Sequence, residues 1–312
     1  MDNGQHLPWE IIPKMMKKSI EIFEEKKDYL DSINVFPVPD GDTGINMYLT
    51  LKEIVKRVNE IDKDDKEGIT EAISQGAFIG AKGNSGTILS QFLRGWIHEL
   101  NTSEHITPES FAKALEAGKK KAYRAMMDPK EGTMLTVFRF IADHAQKLHS
   151  VSWSTFIHEI FEVSQEATLK TREMMDVLQD GGVVDSGALG VVYVLQGWAL
   201  TIEEHVSKVM VQEEIISGLE GLKSHIDLEE VETSTDNRYC TEALIKTSSP
   251  IDKLRQDFSE RGSYFMLTSE GELAKLHIHT DKPHEIIRDF GKNGRLHFVK
   301  IDDMISQAHY FR

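Results

Sequence analysis

From Trp9 to Val206, apolar residues recur at helical spacing with little interruption. Residues 13–30 set Met15, Ile20, Ile22, Phe23 and Leu30 among lysines and glutamates, which predicts a rather polar amphipathic helix. Residues 43–61 continue with Met47, Leu51, Ile54, Val55 and Val58. Residues 68–80 and 85–100 read as two more helices, parted by a break around Gly83. Thr107-Pro108-Glu109-Ser110 puts a capping hydroxyl before a first-turn proline and a glutamate, so it opens another helix. Residues 132–148, 154–175 and 186–204 complete a series of about eight, with no alternating strand among them. Residues 1–207 are therefore expected to form an all-α bundle. Its glycine-bearing breaks fall at Gly41 and Gly44, Gly83 and Gly86, Gly132, and Gly181, Gly182 and Gly187. Alternate connections of an up-and-down bundle lie at one end, so such loops can build one site from several pieces.

After Val206 the pattern changes. Residues 209–216 are a short apolar–polar stretch, and 218–235 are acidic, so 208–235 reads as a linker. Strands are expected at 238–246, 263–268, 273–280 and 296–301, with helices at 251–260 and 283–293 and a turn at Glu270-Gly271-Glu272. Residues 236–312 should be a small α+β domain. The fold expectation is thus multi-domain: an all-α part, then a compact α+β part. No internal repeat or low-complexity tract is evident.

Composition narrows the function classes. The chain has 312 residues, a formal charge of −15 and a single cysteine. That charge disfavours a general binder of nucleic acid or of a membrane surface, both of which are anionic. It leaves room for a nucleotide, because acidic residues meet phosphates through a bridging metal. No apolar run approaches a bilayer span, and the first residues lack a signal-peptide core. One cysteine forbids an intramolecular disulfide, which fits a reducing cytoplasm.

The most informative segment is Asn34-Val35-Phe36-Pro37-Val38-Pro39-Asp40-Gly41-Asp42-Thr43-Gly44. Prolines stiffen the approach, and two aspartates flanking a glycine can turn both carboxylates toward one point. Hard oxygens of this kind suit magnesium. The bland alternative is an Asx turn that caps the next helix. Residues 80–87, Gly-Ala-Lys-Gly-Asn-Ser-Gly-Thr, make a glycine-rich turn opening a helix, where free N–H groups and Ser85 form a phosphate cradle. It is no Walker A motif, and alone it would be a plain helix start. In the second domain His277-Ile278-His279 puts two imidazoles on one strand face, and Cys240 lies on a strand that can pair with it. The three are a zinc set with an open fourth position, or two solvated surface histidines beside an unrelated cysteine.

The Asp-Gly-Asp loop resembles the metal loop of the nucleotide-binding subunits of dihydroxyacetone kinases, and more closely that of the fatty acid kinase A family. The resemblance runs along the whole chain. It includes Glu131-Gly132-Thr133-Met134-Leu135 and the segment 180–188, Asp-Gly-Gly-Val-Val-Asp-Ser-Gly-Ala. It implies a barrel of eight antiparallel helices holding ATP and two magnesium ions at one end. Asp40 and Asp42 match family metal ligands and carry the chemistry. A third family aspartate falls where this chain has Val35, and the carbonyl oxygen of Asn34 is the expected substitute. Thr43, Asn46, Gly83, Asn84, Ser85 and Gly86 are expected on the phosphates. Gly132, Thr133, Met134, Asp185 and Gly187 are expected on the rest of the nucleotide. Cys240, His277 and His279 fall where the family's middle domain carries zinc ligands.

The implied activity is transfer of the ATP γ-phosphate to a fatty acid presented by a separate fatty-acid-binding carrier, giving an acyl phosphate in the cytoplasm. Family members continue into a third domain that engages the carrier. The sequence is therefore expected to be a truncated or short form that retains ATP binding and lacks transfer. Two rivals stand beside this reading. One is a dihydroxyacetone-type kinase subunit, which the fused Cys/His-x-His domain disfavours. The other is a non-catalytic nucleotide-sensing regulator, with second-domain apolar residues serving a homodimer.

Overall fold

The computed structural model describes residues 6–62, 65–206, 219 and 237–310. Among the described residues nine helices precede the first strand: α1 (Ile11–Ser32), α2 (Thr43–Val58), α3 (Lys66–Gly80), α4 (Gly83–Asn101), α5 (Pro108–Ala125), α6 (Met134–Ala145), α7 (Trp153–Met174), α8 (Asp176–Gly181) and α9 (Ser186–Val206). Each of α1 to α7 packs against its successor, α7 packs on α9, and α9 returns to α1. The eight long helices therefore close into an antiparallel barrel, as the resemblance implied. The ninth, α8, was not foreseen, because six residues are too short to display a helical period.

Two helices show why the ring closes. Helix α5 begins as its sequence dictates: Thr107 Oγ1 accepts from the Ser110 N–H at 3.1 Å and Ser110 Oγ accepts from the Thr107 N–H at 2.9 Å. Helix α9 touches α1, α2, α6 and α7. Its side chains are accordingly buried on nearly every face, and its sequence lacks a polar stripe. At the end formed by the α4–α5 and α6–α7 connections, Trp96, Phe111, Trp153, Phe156 and Trp198 stack and meet edge to face, with centroids 4.6–5.9 Å apart. That end is sealed by aromatic packing. The α1–α2, α3–α4, α5–α6 and α8–α9 connections lie at the other end.

The second domain is a four-stranded antiparallel sheet in the order β2-β3-β1-β4. Its elements are β1 (Tyr239–Lys246), α10 (Ile251–Phe258), β2 (Ser263–Glu270), β3 (Leu273–Thr280), α11 (Pro283–Gly291), β4 (Arg295–Asp303) and the short α12 (Met304–Tyr310). One face carries Ala243, Ile245, Phe265, Leu267, Ala274, Leu276 and Ile278, packed with Leu254 and Phe258 of α10 and Ile286 and Phe290 of α11. By the period of two, the other face carries Cys240, Glu242, Lys275, His277 and His279. All five are buried, because this face lies against the helical barrel. Arg94 of α4 reaches across to Glu270, and its Nη2 donates to the Ser269 carbonyl at 3.0 Å.

On the edge strand β4, Leu296, Val299 and Ile301 are each at least 40% exposed, an apolar stripe on the sheet rim. Among the described residues no helix is long and apolar enough to cross a membrane. The proposed linker at 208–235 lies outside the described residues, Leu219 excepted.

Candidate functional site

The turn after α1 sets the first carboxylates. Gly41 has φ +64°, the left-handed region that lets the chain fold Asp40 and Asp42 toward one side. The Phe36–Pro37 peptide bond in the same turn is cis. Asn34 holds the turn from within: its Nδ2 donates to Asp40 Oδ1 at 2.9 Å and to the Val38 carbonyl at 3.3 Å, and its Oδ1 accepts from Thr43 Oγ1 at 3.0 Å. Burial pushes the carboxyl of Asp40 well above the ordinary range, and the nearby charge of Asp42 adds to the rise. Burial raises Asp42 too.

Asp42 precedes α2, where the bland reading makes it a helix cap, yet its side chain makes no capping hydrogen bond. Asp31 does that work from the end of α1, accepting from the Gly44 N–H at 2.6 Å and the Ile45 N–H at 3.3 Å. Burial lifts the Asp31 carboxyl to about 7. No local signal marks Asp31, because its partners lie on another helix. Two buried carboxylates this close together are a site whose chemistry suits a divalent ion.

The α3–α4 joint forms the second wall. Gly83 has φ +58°, and a Cβ there would fall 2.3 Å from Asn46 Nδ2. A side chain at 83 would therefore meet both backbone strain and a clash. The Gly83 N–H is already taken, donating to Glu242 Oε1 of β1 at 2.7 Å. Asn84 and Ser85 of the first α4 turn face the cleft.

The α5–α6 loop adds Met126, Lys130, Thr133, Met134 and Leu135. Thr133 caps α6 through its hydroxyl. Asp185 and Gly187 come from the start of α9. Asp185 is fully enclosed and accepts from the Ala188 N–H at 2.7 Å, and burial raises its carboxyl to about 7.

The sheet domain closes the cleft with Cys240, His277, His279 and Tyr264. Cys240 stands opposite His279 across β1 and β3, so the register brings the expected set together. The ligand atoms of Cys240, His277 and His279 all lie within 4.8 Å of one another. His277 Nδ1 sits 3.2 Å from Glu242 Oε1 and 3.9 Å from Cys240 Sγ, while its Nε2 is buried. That buried Nε2 has no hydrogen-bond partner among the described residues. A thiol and two imidazoles whose ligand atoms converge, with one buried ring nitrogen left unpartnered among the described residues, are a donor set that fits zinc.

One cleft of about 770 Å³, counting its open mouth, thus gathers all four loops and the sheet face. Of the expected residues, Asn34, Asp40, Asp42, Thr43, Gly83, Asn84, Ser85, Thr133, Met134, Asp185, Gly187, Cys240, His277 and His279 line it. Asn46, Gly86 and Gly132 stand outside the lining. Asn46 lies behind Gly83, and Gly86 packs closely on Thr50 of α2. Gly132 turns its N–H to Thr136 Oγ1 at 2.8 Å. Sequence reasoning missed Lys130, Tyr264, Ile88 and Met126, which carry no motif.

Asp185 provides a test of the electrostatics. Its folded-state value of about 7 lies above the ordinary 3.8, so the folded chain binds the extra proton between those limits. Stability from this group is full below about pH 4 and is lost as pH rises through 7, at a cost on the order of 4 kcal/mol. Asp185→Asn keeps an acceptor for the Ala188 N–H and removes the charge. Urea unfolding should show the variant more stable than the wild type at pH 8, with the advantage vanishing near pH 4. An advantage independent of pH would refute the assignment.

Comparison with known proteins shows the family of both domains. Residues 37–200 match the family model of the DAK2 domain. Residues 236–310 match that of the middle domain of fatty acid kinase A-like proteins. Protein YloV of Bacillus subtilis is 32% identical over 306 residues, 94% of this chain and 55% of its own length. An uncharacterised protein of Staphylococcus saprophyticus is 33% identical over 311 residues, 95% of this chain and 55% of its own. The chain thus spans about half the length of the curated relatives it matches. Among solved structures, the dihydroxyacetone kinase from C. freundii in complex with AMP-PNP and Mg2+ aligns over 64% of this chain and 35% of its own, at 16% identity and TM-score 0.47, too slight a likeness to carry weight. With more than half of its length matched by one family model and its sheet domain by a second, the chain belongs to the DAK2-domain family and carries a fatty acid kinase A-like middle domain.

Proposed function

We propose that this chain is the ATP-binding part of a cytoplasmic kinase that phosphorylates a fatty acid presented by a separate fatty-acid-binding protein, giving an acyl phosphate. The observation that carries the reading is the paired burial of Asp40 and Asp42 in one cleft with the N-terminal turn of α4. Asp40 and Asp42 would hold magnesium, which neutralises charge on the phosphate oxygens when bound. Asn34, expected as a third ligand, turns its amide nitrogen to Asp40 and its oxygen to Thr43 and so braces the loop. Thr43, Asn84 and Ser85 face the phosphates from two helix starts. Thr133, Met134, Asp185 and Gly187 border the remainder of the nucleotide. Cys240, His277 and His279 would hold zinc, which there supplies an electrophile or a fixed charge at the wall of the cleft.

The chemistry asks little acid–base help from the protein. A fatty carboxylate is already ionised at neutral pH. Its oxygen attacks the γ-phosphorus, the bond to the β–γ bridging oxygen breaks, and ADP leaves without a proton being moved. That agrees with a cleft rich in carboxylates, where charge neutralisation by a metal ion matters more than proton transfer. The exposed stripe of Leu296, Val299 and Ile301 supports a homodimer through β4.

Calorimetry should register ATP binding that requires magnesium. In a protein that joins this chain to the family's carrier-engaging domain, with a fatty-acid-loaded carrier added, hydroxylamine should trap an acyl hydroxamate in step with ADP release. ADP release without hydroxamate would exclude the carboxyl acceptor. Magnesium-dependent binding with no turnover under any acceptor would favour a nucleotide-sensing regulator.

A further inference from the structure

The joint between α3 and α4 is held by side chains of the other domain. Glu242 of β1 and Lys275 of β3 are 0% and 5% exposed. Glu242 Oε1 accepts the Gly83 N–H at 2.7 Å. Lys275 Nζ donates to the carbonyl of Ala81 and lies 3.5 Å from that of Ile79. Each charge meets the helix end that its sign favours: the carboxylate at the start of α4, the ammonium at the end of α3. The same Glu242 oxygen faces His277 Nδ1 at 3.2 Å, so one atom touches both the phosphate-side loop and the Cys240–His277–His279 set.

This contact does more than dock two domains. Docking is provided further along α4 by Arg94 and Glu270. The Glu242–Lys275 pair acts instead on residues 79–83, whose backbone path decides where Asn84 and Ser85 point. Gly83 sits at φ +58°, one of several conformations open to glycine, so an outside contact can select it.

We propose that Glu242 and Lys275 are positioning residues of the nucleotide site: the middle domain sets the backbone of the α3–α4 joint and thereby aims the first turn of α4 at the phosphates. The proposal rests on the nucleotide reading above and deepens it, because it makes the middle domain a working part of the ATP site. Neither side chain need touch the nucleotide.

The test uses the full chain, with Glu242→Ala, Glu242→Gln and Lys275→Met compared at a temperature where circular dichroism shows each folded. Two quantities are read: magnesium-ATP affinity by calorimetry, and amide hydrogen exchange across 79–86 without nucleotide. Glu242→Ala should weaken affinity by roughly 10- to 50-fold and speed exchange in that segment by about tenfold. Glu242→Gln keeps an acceptor oxygen for Gly83 and should stay within about threefold on both, a rescue that a general loss of structure would not produce. Lys275→Met should weaken affinity by several-fold, and it decides the matter if Glu242→Ala does not fold.

A folded Glu242→Ala with wild-type affinity overturns the proposal, whether its exchange changes or not. A wild type that binds no magnesium-ATP removes the nucleotide reading instead. The exchange arm, which needs no nucleotide, then still reports whether the clamp orders the joint, so the two failures are told apart.

Discussion

Replacing Asp40 and Asp42 together by asparagine should abolish magnesium-dependent ATP binding and, in the same molecule, raise the melting temperature of the metal-free protein. Both effects follow from the same burial. The two carboxyls are enclosed beside each other, and burial pushes both above their ordinary range. Without a cation, the ionised pair is a cost that the fold carries. With magnesium the charges become ligands. Asparagine keeps size and hydrogen-bonding capacity, so the Asn34 contact to position 40 can persist, but it offers a divalent ion far weaker oxygens. Affinity for magnesium-ATP should fall by at least about 100-fold.

The sign of the stability change follows from linkage. Carboxyls with raised folded-state values bind protons that the unfolded chain has released, so wild-type stability declines as pH rises from about 4. The variant lacks this decline. Its metal-free melting temperature should exceed that of the wild type by on the order of 5 °C at pH 8, and the two should converge toward pH 4. A variant that still binds magnesium-ATP would remove Asp40 and Asp42 as the metal loop. A variant that melts lower at pH 8 would show that the carboxylates are satisfied within the protein.

Glu270→Ala should be among the more damaging single changes at the domain boundary, and more damaging than Arg94→Met. Arg94 is 2% exposed, whereas the side chain of Glu270 is 26% exposed. Removing the glutamate strands a guanidinium that cannot reach water. Removing the arginine leaves a carboxylate that can. Burial pulls Arg94 down to about 10, and its guanidinium is met by Glu270 and by the Ser269 carbonyl. Loss of one partner of a buried pair costs about 3–5 kcal/mol, and the partial exposure of Glu270 places the expected loss near the lower end. Methionine at 94 keeps apolar contact with Phe78, over which the guanidinium now lies at 5.1 Å. The double variant Arg94→Met with Glu270→Ala should therefore recover much of the loss. Denaturant unfolding of the three variants checks this ordering. Equal losses for both single variants would mean that the pair is solvated and contributes little.

The helical half was legible because its signal is local and periodic. Met47, Leu51, Ile54 and Val58 recur at the spacing that buries one face of α2, and all four are buried. Helix α8 escaped because six residues cannot display a period, and α12 for the same reason. The Asp40-Gly41-Asp42 turn was legible because glycine between two carboxylates states its chemistry within three residues. Cys240 and His-x-His were legible as strand positions, and the β1–β3 register then set Cys240 opposite His279.

Other parts had no local signature. Asp31 is one aspartate among many at the end of a helix, and only the packing of α1 on α2 makes it the cap that leaves Asp42 free for other work. Glu242 and Lys275 sit on strands as ordinary alternating polar residues. Their sequence period suggests a solvated sheet face.

The sequence by itself determined which segments are helices and strands, which loops carry carboxylates and glycines, and which residues could ligate a metal. All of these depend on neighbours within a few positions. Only the tertiary structure decided that the polar sheet face is buried against the barrel, that Glu242 takes the Gly83 N–H, and that both candidate metal sets line one cleft. Hydrogen bonds and desolvation act through space, and Glu242 and Gly83 are 159 positions apart in the chain.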